Sequence, residues 1–499
     1  MNSRKAIRLV VVSSILTIYV LIRFWKLTDS CLWFDEIFSV HAAEHDWGSI
    51  LAFVAADLVH PPLFYLLLRI WILVGGDGLF WLRLFPVVFS VTAIVPLIFL
   101  LRELKANYLT VVTAIGFLAI NGSLIKYSQE VRMYSMFFFL SLTSIWLFAR
   151  YFNRGKGILL LTIVNISLVY THYFGWTLIT AEFIAVVWYQ RIKLRAFAIS
   201  VGAVFVAFSL WIGAVVHQLD QVSRITQNIG WMQRPGILSV VDLLFDVIEP
   251  FYFQASSIDP ATIWYVSVPL LALTIAMIAV CVSNELLSRE FFGLAAIFIV
   301  VPVVIAFVAS WITPVSIWGS RHLILVVAPA IVLISICLSQ IRPAGLRYSF
   351  IVLLIAISLG AFLIEFNRPQ RDYIWCAWEV LAALVPNDSP QTVYAFEDLT
   401  AYHIWFARRN DKNVKVVKVN GIPGMTEDTA YFLPREFDDV EAIDVNEMKG
   451  DHFWLAFRDM TWNERHPPVD LFVSKGYSIS GPIEIDAQRM KAFLVEVKR

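Results

Sequence analysis

Over residues 1–366 the chain repeats one pattern: about eleven runs of roughly twenty mostly apolar residues, joined by short connections. Uncharged stretches such as Phe291–Trp311 and Leu323–Leu338 have the length of a bilayer-crossing helix. Within hydrocarbon, a helix satisfies its own backbone amides and an irregular segment cannot. Composition agrees. Hydrophobic residues make up 59% of the 499 and charged ones 16%, against about 45–50% and about 25% in water-soluble domains. Mean hydropathy is +0.71. The apolar excess must therefore face lipid.

The spans fall at 6–27, 79–101, 108–125, 135–152, 157–173, 174–190, 196–216, 262–283, 291–311, 322–340 and 347–366. Basic residues gather in the connections Arg102/Lys105, Arg150/Arg154/Lys156, Arg191/Lys193/Arg195 and Arg342/Arg347. The positive-inside rule places these, with the N-terminus, in the cytoplasm. Pro61–Gly76 is the one conflicting segment, since a span there would invert every later loop. It is short, opens on two prolines and carries Arg69, so it is expected as an interfacial or re-entrant helix on the outer side. The N-terminal run follows Arg4, Lys5 and Arg8 and has no small-residue cleavage site, which makes it a signal-anchor.

After residue 366 the character changes. Charge rises, and the apolar content shrinks to strand-like runs at Thr392–Phe396, Val414–Val419, His452–Phe457 and Ala492–Val497, preceded by an amphipathic stretch at Tyr373–Leu384. The expected architecture is a polytopic α-helical membrane domain (1–366) followed by a small extracytoplasmic α/β domain (367–499). That second domain is either a structural cap or a substrate-binding unit. The 39 basic and 39 acidic residues balance, and no basic run favours a nucleic-acid partner. Cys281 and Cys337 sit in apolar runs as ordinary buried thiols. Cys31 and Cys376 fall in outer segments, where a disulfide is one pairing open to them. There is no CxxC, HExxH or zinc-type spacing, so a metal cofactor has no support in the sequence.

Chemistry-bearing residues collect in the outer segments. Asp35 and Glu36 follow Trp33-Phe34 just beyond the first span. Aromatic anchoring near the headgroups would desolvate a carboxylate and make it a better general base; the plain alternative is interfacial decoration. On a helix the two acids diverge, so one of the pair would enter a site. His60 precedes Pro61-Pro62 at a helix start, a place suited to donating to a phosphate or to bonding within the loop. Arg132 lies in the squeezed loop Lys126–Tyr134 with Glu130 and Tyr134. A guanidinium there needs an anion, either a phosphate held bidentately or a carboxylate such as Glu130. His172 and Tyr173 cap another outer helix end, and Ser320-Arg321-His322 opens a later span. Arg321 either snorkels to lipid headgroups or joins Arg132. Together these groups describe an anion site beside a carboxylate base.

Their order is familiar. Trp33-Phe34-Asp35-Glu36, His60-Pro61-Pro62-Leu63-Phe64-Tyr65, Arg83-Leu84-Phe85-Pro86, the run Tyr127–Ser135, Thr171-His172-Tyr173-Phe174 and Arg321-His322-Leu323 resemble the GT-C class of glycosyltransferases. The bacterial branch with the lipopolysaccharide-core galacturonosyltransferases is nearest; aminoarabinose lipid A transferases and protein O-mannosyltransferases are more distant. The resemblance is densest over 28–190, thinner later, and loose in the C-terminal domain. It implies an inverting transferase that uses a polyprenyl-phosphate-linked sugar in a bacterial inner membrane, with a periplasmic C-terminal domain and an extracytoplasmic acceptor. It also implies Asp35 as base with Glu36 beside it, Arg132, Arg321 and His60 on the lipid-linked phosphate, and Glu130 where some members carry an Asp. The loop His217–Pro260, with Trp231, Arg234 and Tyr252, and the C-terminal domain would shape acceptor choice. A transporter or flippase of a lipid-linked sugar is the competing reading. It lacks the repeat symmetry and the Gly/Pro-broken spans usual in transporters.

Overall fold

In the computed structural model the described residues are 3–216, 230, 232–251, 263–367, 374–423, 440–487 and 490–499. They form two compact units. One takes in Met1–Leu27, Leu58–Asp220 and Ile229–Arg368; the other contains Thr28–Asp57 and Pro369–Arg499. The segment Thr28–Asp57, counted with the membrane domain in the sequence reading, thus packs within the second unit.

The first unit is helical and polytopic. Among the described residues, eight helices are long and apolar enough to cross a membrane: Lys5–Phe24, Leu79–Glu103, Tyr134–Arg154, Arg191–Val216, Ile263–Ser283, Arg289–Ile312, Ser320–Gln340 and Ala344–Asn367. Four shorter apolar helices are Leu63–Gly75, Tyr108–Ile120, Ile158–Thr171 and Gly175–Tyr189. Every expected span coincides with one of these. Leu63–Gly75, 13 residues long, occupies the segment expected as the interfacial helix. It turns back on itself through Gly76 (φ 83°), and Trp71 stacks on Trp81 at 4.4 Å. Each indole N–H donates to the other's carbonyl, at 2.7 and 2.9 Å. A Cβ on Gly75 would lie 2.1 Å from Trp81, so only glycine fits there.

Polar side chains bolt these helices together. Arg23 is fully buried at the end of the first span and donates to the carbonyls of Ala119 (2.7 Å) and Leu118 (2.8 Å). Those are among the last carbonyls of the helix Tyr108–Ile120, left without helical partners and at the negative end of its dipole. A second knot ties three helices. Ser144 Oγ lies 2.6 Å from Glu182 Oε1 and 2.5 Å from Asn165 Oδ1, its one proton shared between them, and Asn165 donates to Glu182 (2.8 Å). Paired in this way, a carboxyl is tolerated inside an apolar bundle.

The second unit is a six-stranded sheet in the order β3-β2-β1-β4-β6-β5. Its strands are β1 (Gln391–Ala395), β2 (Val414–Asn420), β3 (Glu441–Asp444), β4 (His452–Asp459), β5 (Ser478–Ala487) and β6 (Met490–Lys498). β1 pairs in parallel with β2 and β4, and β2 with β3, whereas β6 runs antiparallel to β4 and β5. Alternation along the strands builds two cores. Val393, Ala395, Trp454 and Ala456 face one core, which is covered by Trp378 and Leu381 of the helix Ile374–Leu384 and Ile404 of Asp398–Arg408. Tyr394, Phe453, Leu455 and Phe457 face the other, under Val469 and Phe472 of the helix Pro467–Ser474. Lys418 and Asp398 form a buried ion pair at 2.8 Å. The arm Thr28–Asp57 joins this unit through the Cys31–Cys376 disulfide and an Arg409–Glu44 ion pair at 3.0 Å.

Candidate functional site

The loop between residues 128 and 134 is shaped by hydrogen bonds that its own sequence supplies. Gln129 Nε2 donates to the carbonyls of Arg23 (3.1 Å) and Trp25 (2.7 Å), capping the end of the first span. Ser128 donates to the Ile125 carbonyl (2.6 Å) and Ser135 to the Tyr127 carbonyl (2.7 Å). The polar residues of this motif are therefore mostly structural, and they deliver Arg132 and Tyr134, both buried, to one place. Arg83 plays a similar part, donating to the Leu27 carbonyl at 2.8 Å.

Three histidines meet there. The His172 ring lies 5.7 Å from His60 and 5.2 Å from His322. Tyr134 stands 6.2 Å from His172 and 6.4 Å from His322. Phe137 (4.8 Å from His172) and Phe174 (5.2 Å from His322) wall the cluster. Arg132 and Arg321 are near enough for their charge to act on both His172 and His322. The membrane unit thus brings together five of the expected site residues, His60, Arg132, Tyr134, His172 and Arg321, and adds His322. Glu130 pairs with Lys126 at 3.7 Å, and the Tyr173 hydroxyl accepts from Trp211 Nε1 at 3.1 Å. Burial pushes the Tyr127 hydroxyl well up, helped by Glu130 and opposed by Arg321.

A second set of groups was not singled out from the sequence. The segment from Gly236 to Phe251 is pinned by Asn121 Nδ2 donating to the Val247 carbonyl (2.9 Å) and by Gly122 N–H donating to the Glu249 carbonyl (2.8 Å). Its helix Ile237–Ile248 brings Asp246 beside Ser320 and Lys126, with burial raising its carboxyl. Glu249, buried and accepting from Ser267, is pushed up to about 8, chiefly by burial and further by Asp246 and Asp242. The signal was present: Asp242, Asp246 and Glu249 are spaced i, i+4, i+7, one face of a helix. Of the loop residues named for acceptor choice, Trp231 and Tyr252 lie outside the described residues. Arg234 stacks over the Trp311 ring at 5.6 Å.

Asp35 and Glu36 belong to the other unit, in the first turn of the helix Phe34–Glu44. Glu36 is fully buried and its Oε2 accepts from the Trp33 N–H at 3.0 Å, capping its own helix. Asp35 is half-buried. The two acids diverge as a helix requires. On the same helix His41 packs between Trp405 (5.0 Å) and Phe53 (5.3 Å). Burial, then His45 and Arg409, push it down to about 3. Among the described residues no three His, Cys, Asp or Glu side chains are grouped to hold a metal ion.

The fold is that of a polytopic helical membrane protein whose chain also carries a small mixed-sheet unit. ArnT from Cupriavidus metallidurans bound to undecaprenyl phosphate has the same fold: the TM-score is 0.59 at 12% identity, covering 97% of each chain. The same protein in its apo state gives 0.60 at 12% identity, covering 99% of this chain and 98% of that one. At that identity the likeness is one of fold. No protein-family model matches the chain, and no curated protein matches it.

Proposed function

We propose that this chain is an inverting, hexosyltransferase-like glycosyltransferase of the bacterial inner membrane. It takes a sugar from a polyprenyl-phosphate carrier and passes it to a periplasmic acceptor: an envelope glycolipid, a polysaccharide or a protein. The observation that carries the reading is the convergence of the Arg132 and Arg321 charges and His60 on one cluster of a polytopic membrane unit, with Arg132 and His60 buried. A guanidinium fork suits a phosphate bidentately, and such charge-assisted contacts are strong in a low-dielectric site. A phosphate on a polyprenyl tail is an anion that reaches such a site from the bilayer. ArnT, of the same fold, was solved with undecaprenyl phosphate.

In the proposed reaction Asp35 takes the proton of an acceptor hydroxyl while that oxygen bonds to the sugar C1. The bond from C1 to the phosphate oxygen breaks with its electron pair, so polyprenyl phosphate leaves from the opposite face and the anomeric centre inverts. Arg132 and Arg321 stabilise the charge growing on the leaving phosphate, where low dielectric strengthens each contact. The base role of Asp35 rests on its motif. The N-terminus lies in the cytoplasm and the sheet unit in the periplasm, as the basic connections require.

The test uses purified protein in lipid nanodiscs. Undecaprenyl phosphate carrying a radiolabelled sugar (glucose, galactose, mannose, galacturonate or aminoarabinose) is supplied with envelope glycolipids from a strain lacking the gene. Transfer predicts that free undecaprenyl phosphate appears and label enters the glycolipid fraction for one sugar. Label that stays on its carrier while the protein moves it across a vesicle bilayer would sink the reading in favour of transport.

A further inference from the structure

Two of the clustered histidines hold their protons in opposite senses. Nδ1 of His172 accepts from the Phe174 N–H at 3.1 Å. That nitrogen carries no proton, so the ring is neutral with its proton on Nε2. This Nε2–H is buried and has no hydrogen-bond partner among the described residues. His322 is set the other way. Its Nδ1 lies 3.2 Å from the Ile317 carbonyl, which can only accept, so the proton sits on Nδ1. The neutral ring then presents a lone pair at Nε2. Gly319 keeps this arrangement open, since a Cβ there would stand 3.1 Å from His322 Nδ1. With centroids 5.2 Å apart, the two neighbouring rings carry one donor and one acceptor between them.

From this we propose that His172 and His322 together read a hydroxyl of the donor sugar, separately from the groups that hold the phosphate. The inference rests on the proposed polyprenyl-phosphate donor. An ionised phosphate oxygen only accepts, so it satisfies His172 and faces the lone pair of His322. An ammonium only donates and fails in the converse way. A hydroxyl accepts from His172 Nε2–H and donates to His322 Nε2 at once. A buried donor left without a partner costs stability, so the site is completed by what binds it. Phe137, Phe174 and Tyr134 add aromatic faces at 4.8–6.4 Å from the two rings, suited to the C–H face of a pyranose.

The experiment measures binding to the full-length protein in nanodiscs of two probes: undecaprenyl phosphate, and undecaprenyl phosphate bearing the sugar that wild type prefers. His172→Phe keeps a ring against Phe137 and Phe174 but deletes the donor. It should weaken the glycosylated probe about tenfold and leave undecaprenyl phosphate within about twofold. His172→Gln restores an N–H and should recover most of the loss. Single-deoxy analogues of the sugar should include one that loses about tenfold on wild type and nothing further on His172→Phe, as a shared hydrogen bond requires. Equal loss of both probes by a variant that stays monodisperse would make the pair a phosphate site and overturn the proposal. So would no loss of either, which leaves the pair to water. Wild type that binds no undecaprenyl phosphate would instead strike at the donor reading beneath it.

Discussion

The helical unit and the sheet unit bury polar groups by different means. In the helical unit, helix ends are closed by long side chains from distant sequence: Arg23 and Arg83 on carbonyls, and Gln129 on the end of the first span. The loop that carries Gln129 also carries Arg132 and Tyr134, so caps and site share one stretch of chain. In the sheet unit the strands satisfy one another, and the arm bearing Asp35 is fastened covalently. Chemistry and folding should thus be entangled in the first unit and separable in the second.

Asp35→Asn is the sharpest way to break that contrast. Transfer should fall about 10²–10⁴-fold, the contribution of a general base. Thermal unfolding and undecaprenyl phosphate binding should stay at wild-type values. Near-full transfer by this variant would remove Asp35 from the role; a lost fold would deny the separability. Arg132→Gln and Arg321→Gln come next, each with about 10²–10³-fold lower transfer. Here undecaprenyl phosphate binding should weaken too, and the melting temperature of Arg132→Gln should drop because its loop holds the first span. Unchanged lipid binding by both variants would dissolve the phosphate assignment.

The same contrast governs what could be read from residues alone. Apolar run length located the spans, because burial in lipid demands it. Alternation located β1, β2, β4 and β6, whose faces pack into two cores. β3 and β5 escaped: four residues of β3 are largely exposed, and β5 is interrupted by Gly481-Pro482 and buries little. Within the site, Arg132, His60 and His172 stood out because cations and imidazoles are conspicuous in apolar surroundings. Glu182 and Glu249 did not, since a single acid leaves a hydropathy run nearly intact and its partners Ser144, Asn165 and Ser267 are remote in sequence. That His322 complements His172 depends on two backbone contacts that no motif encodes.

A smaller effect tests the covalent fastening. Replacing Cys31 and Cys376 together by serine should destabilise the sheet unit by about 2–4 kcal/mol. Limited proteolysis of the full-length protein should then cut within residues 28–57 while the helical unit stays resistant. Wild-type resistance would mean that the Arg409–Glu44 pair and the packing of His41 against Trp405 hold the arm unaided.

The smallest effect separates the units by pH. Glu249, raised to about 8 by burial and by Asp246 and Asp242, holds its proton in the folded state where an unfolded Glu, near about 4.3, has lost it. Between those values the folded protein binds more protons, so stability declines as pH rises toward 8. His41, lowered to about 3 by burial, His45 and Arg409, behaves oppositely: unfolded chains bind the extra proton below about 6.5, and stability declines as pH falls from there. Glu249→Gln should therefore flatten the alkaline side of a melting-temperature profile, by about 2–4 °C at pH 8. His41→Phe should flatten the acid side alone. If both variants altered the same limb, the two buried groups would not belong to independently titrating units.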